Sequence, residues 1–134
     1  MEIFTETTIP KIISIDLAHL PEHACPEGEW DEVDHNYRLN LCDEIIYATE
    51  NLGVIGHLGI QDSHIKAVFV NEDSRNQGVA IAMYIFALTI NPLLYSDDGD
   101  AREASATNIW KILQKRYPKQ ITYNSKSDIF CFKK

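Results

Sequence analysis

The segment Val70-Asn71-Glu72-Asp73-Ser74-Arg75-Asn76-Gln77-Gly78-Val79-Ala80 joins two apolar runs of the chain. Residues 65–70 predict a strand, and residues 79–90 predict a helix that is buried on most sides. A chain that turns from a strand into a helix presents backbone N–H groups that have no helical partner. These donors and the positive end of the helix dipole favour phosphate oxygens. Because Gly78 lacks a Cβ and Arg75 adds a positive charge, the segment predicts an anion-binding loop.

Three extended runs precede this loop and share short polar connections. Residues 44–49, 54–60 and 65–70 predict strands of an antiparallel meander. Gly53 immediately precedes the middle run, which itself carries Gly56 and Gly59; these glycines predict bulges or a close approach of another backbone. The helix is expected to end at Asn91-Pro92, and residues 93–96 predict a short strand after it.

The last third of the sequence predicts one helix and one hairpin. Apolar residues recur at helical spacing up to Pro118 and comprise Ala106, Ile109, Trp110, Leu113 and Tyr117. Asp100 is the expected N-cap of this helix, with Glu103 as its capping-box partner. Residues 120–124 and 129–132 then predict two paired strands.

The first third of the sequence contributes weaker patterns. Residues 12–17 predict a first strand, and residues 21–36 form an acidic stretch broken by prolines that predicts a loop. Residues 37–41 fit either a short strand or the end of a helix. With strands first and helices late, residues 1–134 predict a single α+β domain built on a mostly antiparallel mixed sheet.

The charge of the chain limits its partners. Twenty acidic and 12 basic residues give a formal net charge of -8. Such a protein is repelled by nucleic-acid phosphates, and it favours cationic partners such as amines, lysine side chains or a basic protein surface. We therefore expect an amine-bearing substrate or a basic protein surface as partner and no nucleic acid.

The cysteine count and the absence of a leader pattern bear on location. Cys25, Cys42 and Cys131 are odd in number and widely spaced, which favours a reducing cytoplasm over a disulfide framework. The first residues lack a basic start followed by an apolar run, and residues 79–90 are too short to span a bilayer. We expect a cytoplasmic protein without a membrane partner, either monomeric or homodimeric.

The loop segment resembles the signature of the GNAT N-acetyltransferases. That signature is an apolar strand end, an Arg or Gln, two residues, a Gly, one residue, and a Gly or Ala; here Arg75, Gly78 and Ala80 stand at the defined positions. The strand at residues 93–96 and the later helix carrying Trp110 are similar to those of short GNAT-like proteins encoded by phages. The resemblance implies the acyl-CoA N-acyltransferase fold, with helices on both faces of the sheet.

The same resemblance implies acetyl-CoA as cofactor and direct attack of an amine on its thioester. The pantetheine arm would pair with the end of the strand before the loop, in a cleft towards residues 93–96. The pyrophosphate would lie on the loop itself. The implied cofactor-binding residues are Val68, Phe69, Val70, Arg75, Asn76, Gln77, Gly78, Val79 and Ala80.

The expected catalytic residues depart from the family pattern. Members often place a tyrosine acid on the late helix, where Trp110 stands here, and a glutamate base on the strand before the loop, where residues 65–70 have no carboxylate. His57 has a suitable ordinary pKa for a base, and a water is the alternative. Tyr117 and Tyr95 are the candidate acids. A packed role for each of these three side chains also fits the sequence.

Other functions stay open at this stage. The chain could be a GNAT-like module that acts by binding a partner protein, or a small interaction domain that binds no CoA. His19, His23 and Cys25 lack a fourth ligand nearby, so we expect no metal site. An acidic cluster precedes the second predicted helix and comprises Asp97, Asp98, Asp100 and Glu103. It either attracts a cationic substrate or serves as a helix cap and solvated loop.

Overall fold

The computed structural model of the 134-residue chain describes residues 2–6, 42–50, 53–100 and 102–134. Seven strands and two α-helices lie in these ranges. In chain order they are β1 (Glu2–Glu6), β2 (Glu44–Glu50), β3 (Gly53–Gln61), β4 (His64–Val70), α1 (Val79–Ile90), β5 (Leu93–Tyr95), α2 (Ala104–Arg116), β6 (Ile121–Asn124) and β7 (Ile129–Lys133).

The strands form one mixed sheet in the order β1-β2-β3-β4-β5-β7-β6. Every neighbouring pair is antiparallel except β4 and β5, which are parallel. The parallel pair is connected through α1, as a parallel connection requires. The predicted α+β class and the mostly antiparallel mixed sheet are therefore confirmed.

The meander of β2, β3 and β4 sets the register on which the site depends. Tyr47, His57 and Phe69 lie opposite one another across the three strands. The pairing shifts between Ala48 and Thr49 and again next to Gly59. The bulge predicted from the glycines of the middle run is confirmed at Gly59.

Both described helices pack on one face of the sheet. Trp110 of α2 stacks on Phe130 of β7 and meets Tyr84 of α1 edge-on, with ring centroids 5.9 Å apart in both pairs. The fully buried members of this cluster include Ile46, Leu58, Met83, Ala87, Leu94, Leu113 and Ile121. Trp110, with 1% of its surface exposed, is therefore a core residue.

The opposite face of the sheet carries a second buried cluster. Its members are Cys42, Ile45, Tyr47, Val54 and Ala67. The prediction of helices on this second face concerns residues outside the described ranges. Those ranges also exclude the predicted strand at 12–17, the loop at 21–36, the segment 37–41, and the residues His19, His23 and Cys25.

Gly56 brings α1 close to the sheet. A Cβ added at Gly56 would lie 3.0 Å from the Phe69 carbonyl oxygen and 3.1 Å from Cε of Met83, and it would also press on Val79. Helix and strand are therefore in contact through a position that has no side chain. The predicted close approach in the middle strand is confirmed at this residue.

The predicted start of α2 is wrong. The helix begins at Ala104 with Glu103 as N-cap, and the Glu103 side chain makes no capping hydrogen bond. Asp100 lies in a turn that the Arg102 N–H closes on the Asp98 carbonyl at 2.8 Å, so the helix cannot start there. The structure also adds β1, which no pattern had predicted. Among the described helices, none has both the length and the apolar character needed to cross a bilayer.

Candidate functional site

The parallel strands β4 and β5 separate soon after they meet. Their one register pair in the described structure joins His64 to Tyr95, and the Tyr95 N–H donates to the Ser63 carbonyl at 2.7 Å. β4 continues to Val70, whereas β5 ends at Tyr95. We call the gap between residues 66–70 and residues 96–98 the notch.

The backbone of β4 points alternately into the sheet and into the notch. The Asn71 N–H donates to the Ile55 carbonyl of β3 at 2.7 Å. Backbone groups alternate in direction along a strand, so residues two or four positions before Asn71 also direct their N–H and C=O groups to β3. Val70 and Val68, one and three positions before Asn71, direct these groups to the notch. This strand edge can pair with an extended chain laid along it.

A tight loop leads from β4 into α1. Residues Glu72–Ser74 form a 3-10 turn, after which Asn76 and Gly78 adopt positive φ angles of 62° and 82°. Gly78 is the N-cap of α1, makes no side-chain capping bond, and would have nothing within 4 Å of an added Cβ. The first amides of α1 are therefore left without a side-chain cap at an open position, which is the geometry of an anion site.

Arg75 ties the loop to the end of β4. Its Nε donates to the Val70 carbonyl at 3.0 Å, and its guanidinium lies over the Phe69 ring, 5.7 Å from the centroid. Glu72 and Asp73 are exposed in the same loop. Because these carboxylates would oppose an anion, any attraction for one would have to come from the backbone amides and Arg75.

His57 is a buried residue of β3 and does not line the notch. Its side chain is 0% exposed, and its ring stacks on Phe69 with centroids 5.6 Å apart. Since His57 belongs to β3, the whole of β4 separates it from the notch. A group in the notch would reach His57 only through a relay.

Tyr95 lies at the closed end of the notch. Its ring stacks on His64 with centroids 4.9 Å apart, and it is half-buried. Both rings line an open cavity of about 280 Å³ together with Thr122, Asn124, Ser127, Ile129 and Cys131. Of the predicted catalytic residues, Tyr95 lies nearest the strand separation.

Tyr117 lies at the far end of α2. It is the C-cap, and its N–H donates to the Leu113 carbonyl at 2.8 Å. Because the 13 residues of α2 span about 20 Å and the start of the helix is the end near Ser96, the structure does not bring Tyr117 to the notch. Its backbone carbonyl instead accepts from Gln120 and Ile121, closing the turn into β6.

Arg102 organises the region between β5, α2 and the β6–β7 turn, a role that the sequence reading missed. Its side chain is 4% exposed. It donates to Thr107 Oγ1 at 2.8 Å, Ser96 Oγ at 3.2 Å, the Asp97 carbonyl at 3.0 Å, the Asp128 carbonyl at 2.7 Å and Asp128 Oδ1 at 2.8 Å. An arginine in a loop gives no sequence signal for such a role.

The Asp128 carboxylate accepts hydrogen bonds from two side chains, Arg102 and Tyr123. Its Oδ1 also accepts from the Tyr123 hydroxyl at 2.7 Å. That hydrogen bond raises the pKa of Tyr123. The same bond, followed by the one from Arg102, lowers the pKa of Asp128. Gly99 lies against the same carboxyl group, and a Cβ there would overlap it.

An ion pair crosses the notch just beyond its closed end. Lys66 Nζ lies 2.8 Å from Asp97 Oδ1, with side chains 32% and 10% exposed. Asp97 also accepts from its neighbour, the Asp98 N–H, at 3.0 Å. The sequence indicates Asp97 only as part of an acidic group, because a pairing with a residue 31 positions earlier leaves no local pattern.

The described cysteines behave as packed thiols. Burial raises the pKa of Cys42 to about 12, and burial also raises the pKa of Cys131. Neither therefore has the thiolate character of a nucleophile.

Solved structures share this architecture. The chain is similar to the diaminobutyrate acetyltransferase EctA from Paenibacillus lautus, solved with L-2,4-diaminobutyric acid and coenzyme A, with a TM-score of 0.63, 13% identity, and coverage of 98% of this chain and 95% of that chain. The chain has the GNAT fold.

Two further GNAT-fold structures agree with this assignment. The ribosomal-protein-S18-alanine N-acetyltransferase from Escherichia coli matches with a TM-score of 0.57 and 10% identity over 98% of this chain and 93% of that chain. A GNAT family acetyltransferase from Brucella melitensis in complex with acetyl-CoA matches with a TM-score of 0.56 and 10% identity, over 98% and 88%. Neither a protein-family model nor the sequence of a curated protein matches this chain.

Proposed function

We propose that this protein is an acetyl-CoA-dependent N-acetyltransferase that acts on a primary amine. One observation carries the proposal: an uncapped helix start at Gly78 lies next to a strand that has separated from its parallel neighbour. The GNAT fold supports it, because structural relatives are acetyltransferases solved with acetyl-CoA or coenzyme A.

The residues on the loop and on β4 fit the chemistry of the cofactor. A diphosphate would be held by the first amides of α1, with Arg75 as the nearby cation. The amide groups of a pantetheine arm would pair with the notch-facing backbone of Val68 and Val70, as an added strand does. When bound, acetyl-CoA supplies a thioester carbonyl that is open to attack.

The chain's own contribution to chemistry is orientation and proton transfer. An amine must lose a proton to become a nucleophile, so an acceptor is needed near the notch. His57 or a water stays the predicted base, and the burial of His57 behind β4 requires a relay between them. Tyr95, half-buried at the closed end of the notch, is the better placed of the two tyrosine acids.

A second function is favoured by the lack of usual catalytic groups. Trp110 packs in the core, and no residue of β4 from Ile65 to Val70 carries a carboxylate. A GNAT-fold module that binds a partner protein, with or without cofactor, would need neither group. Turnover separates the two functions.

Cofactor binding is the first test. Acetyl-CoA at 100 times its Kd should stabilise the native protein by about 2.7 kcal/mol, which raises the midpoint of thermal unfolding. Free adenosine at the same concentration serves as the control because it lacks the diphosphate. No shift with acetyl-CoA at millimolar concentration would rule out both an acetyltransferase and a cofactor-binding module.

Thiol release is the second test. The protein with acetyl-CoA should release CoA thiol when it is given diamines or lysine-containing peptides, and not when it is given the corresponding alcohols. Cofactor binding without amine-dependent release would favour the binding module. Mass analysis of the amine product confirms that the acetyl group has reached nitrogen.

A further inference from the structure

The Asp97 carboxylate in the notch is well placed to bind a cation, because it is largely buried and already pairs with an ammonium group. Asp97 lies just beyond Tyr95, where β5 has turned away from β4, and its side chain is 10% exposed. Its partner, the ammonium group of Lys66, reaches across from β4. The ion pair therefore spans the gap at the point where the strands separate.

Asp97 is held by a rigid framework, whereas Lys66 is not. The Asp97 carbonyl accepts from Arg102 Nη1 at 3.0 Å and from Ser96 Oγ at 3.1 Å. Asp97 Oδ1 further accepts from the Asp98 N–H. Lys66 approaches on a flexible stem of four methylene groups and is 32% exposed.

We propose that Asp97 receives the ammonium group of the amine acceptor and that Lys66 occupies this position until the acceptor displaces it. The inference rests on the proposed function for its substrate class. The site takes a primary ammonium group on a slender alkyl chain, such as a diamine or a lysine side chain, because Lys66 already presents that group there. A quaternary ammonium ion has no N–H to donate and does not fit.

A purely structural ion pair makes the opposite prediction for one variant. If Lys66 only fastens β4 to the chain after β5, removing its charge loosens the notch and weakens any binding there. If Lys66 competes with the acceptor, removing its charge frees Asp97 and strengthens binding. Lys66→Met keeps most of the stem and removes the ammonium group, so the sign of its effect decides between the two roles.

The experiment is calorimetric titration with 1,5-diaminopentane in the absence of acetyl-CoA. Lys66→Met should bind the diamine three- to tenfold more tightly than the wild type. Asp97→Asn should bind at least tenfold more weakly than Lys66→Met, and Asp98→Asn should stay within twofold of the wild type, although it removes the same charge one residue away. 1,5-Pentanediol should not bind any of them.

Several outcomes would overturn the proposal. They are a weaker or unchanged affinity in Lys66→Met, equal effects of Asp97→Asn and Asp98→Asn, or no diamine binding by both the wild type and Lys66→Met. If Asp97→Asn does not fold, Lys66→Met still decides, because its expected change has the opposite sign to that of a structural role. A thermal melt of each variant shows which proteins are folded.

Failure of this inference differs from failure of the proposed function. Diamine binding that depends on Asp97, in a protein that never releases CoA thiol, would leave the inference standing and refute the enzyme. Amine-dependent thiol release with the same amine KM in Asp97→Asn as in the wild type would support the enzyme and refute the assignment of Asp97.

Discussion

The two described α-helices begin in different ways. α1 starts at Gly78, which is exposed and has positive φ, and its first amides have no side-chain cap. α2 starts next to the buried Arg102, which binds Thr107 in its first turn and Asp128 outside it. A positive charge at the start of a helix opposes the dipole, and here Asp128 supplies the balancing negative charge from within the chain.

Neither helix start has a side-chain cap, so the difference between them lies in the charged side chains that stand beside them. At α1 no atom lies within 4 Å of a Cβ added at Gly78, so the position is open to a ligand. At α2 the chain supplies both charges, Arg102 and Asp128. Their contacts connect the loop after β5, the first turn of α2 and the β6–β7 hairpin. Variants should therefore affect binding at the first helix and stability at the second.

The largest expected effect is on ligand affinity at α1. Gly78→Asp should weaken acetyl-CoA binding at least a hundredfold, about 2.7 kcal/mol, because a carboxylate would face the diphosphate. Gly78→Asn is the matched control, since it has the same shape and tolerates positive φ but has no charge; it should lose less than tenfold. Equal affinities of the two variants, measured by calorimetry, would show that the loop does not hold the diphosphate.

The next effect is on stability at α2. Arg102→Met should lower the free energy of unfolding by about 2 kcal/mol, because Ser96, Asp97 and Asp128 lose a shared donor. Acetyl-CoA affinity should stay within threefold of the wild type. Denaturant unfolding measures the first quantity and calorimetry the second. Arg116→Met, at an exposed position on the same helix, should change stability by less than about 0.5 kcal/mol.

Acidification should weaken the α2 region. The hydrogen bond from the Tyr123 hydroxyl, and then the one from Arg102, lower the pKa of Asp128 from its ordinary value in the folded state. Because the unfolded chain binds this proton more readily, the contribution of Asp128 is complete above the unfolded pKa and is lost as the pH falls through the folded value.

The wild type should therefore lose more stability between pH 6 and pH 3 than Asp128→Asn does. Asp100→Asn, which changes an exposed carboxylate in the preceding loop, should follow the wild-type profile. Parallel pH profiles of unfolding for the wild type and Asp128→Asn would contradict this assignment of the Asp128 contacts.

The smallest effect tests the electrostatics of the open helix start. Glu72→Gln should tighten acetyl-CoA binding about twofold at low salt, because an exposed carboxylate near the anion loop is neutralised. Glu103→Gln, the equivalent change at the start of α2, should leave the affinity unaltered. The difference should vanish at about 0.5 M salt, where exposed charges are screened. A salt-independent gain would point to a contact rather than to charge.

Features set by local sequence could be predicted. The alternation of β2, β3 and β4 follows from period and turn residues, and the helix over 79–90 was predicted with its bounds because Gly78 and Asn91-Pro92 delimit it. The loop was predictable for the same reason: its donors belong to the backbone, and a glycine within a strand-to-helix turn is visible in the sequence.

Features made by side chains that meet across the fold could not be predicted. Arg102 and Asp128 are 26 positions apart, and Lys66 and Asp97 are 31 apart, so no periodicity brings them together. The prediction of Asp100 as N-cap was wrong because Asp100 lies in a turn closed by the Arg102 N–H, and the helix begins only at Ala104. The roles of His57, Tyr95 and Tyr117, the cytoplasmic location and the likeness to phage-encoded proteins stay predictions.

Gly56 has a consequence for how the loop and the strand edge keep their relative positions. Because α1 rests directly on the middle of the meander there, its first turn has a fixed height above the sheet. The Phe69 carbonyl that would touch an added methyl group belongs to the same strand that borders the notch. The absence of a side chain at Gly56 therefore sets the distance between the start of α1 and the edge of β4, and an elongated ligand that binds both must span that distance.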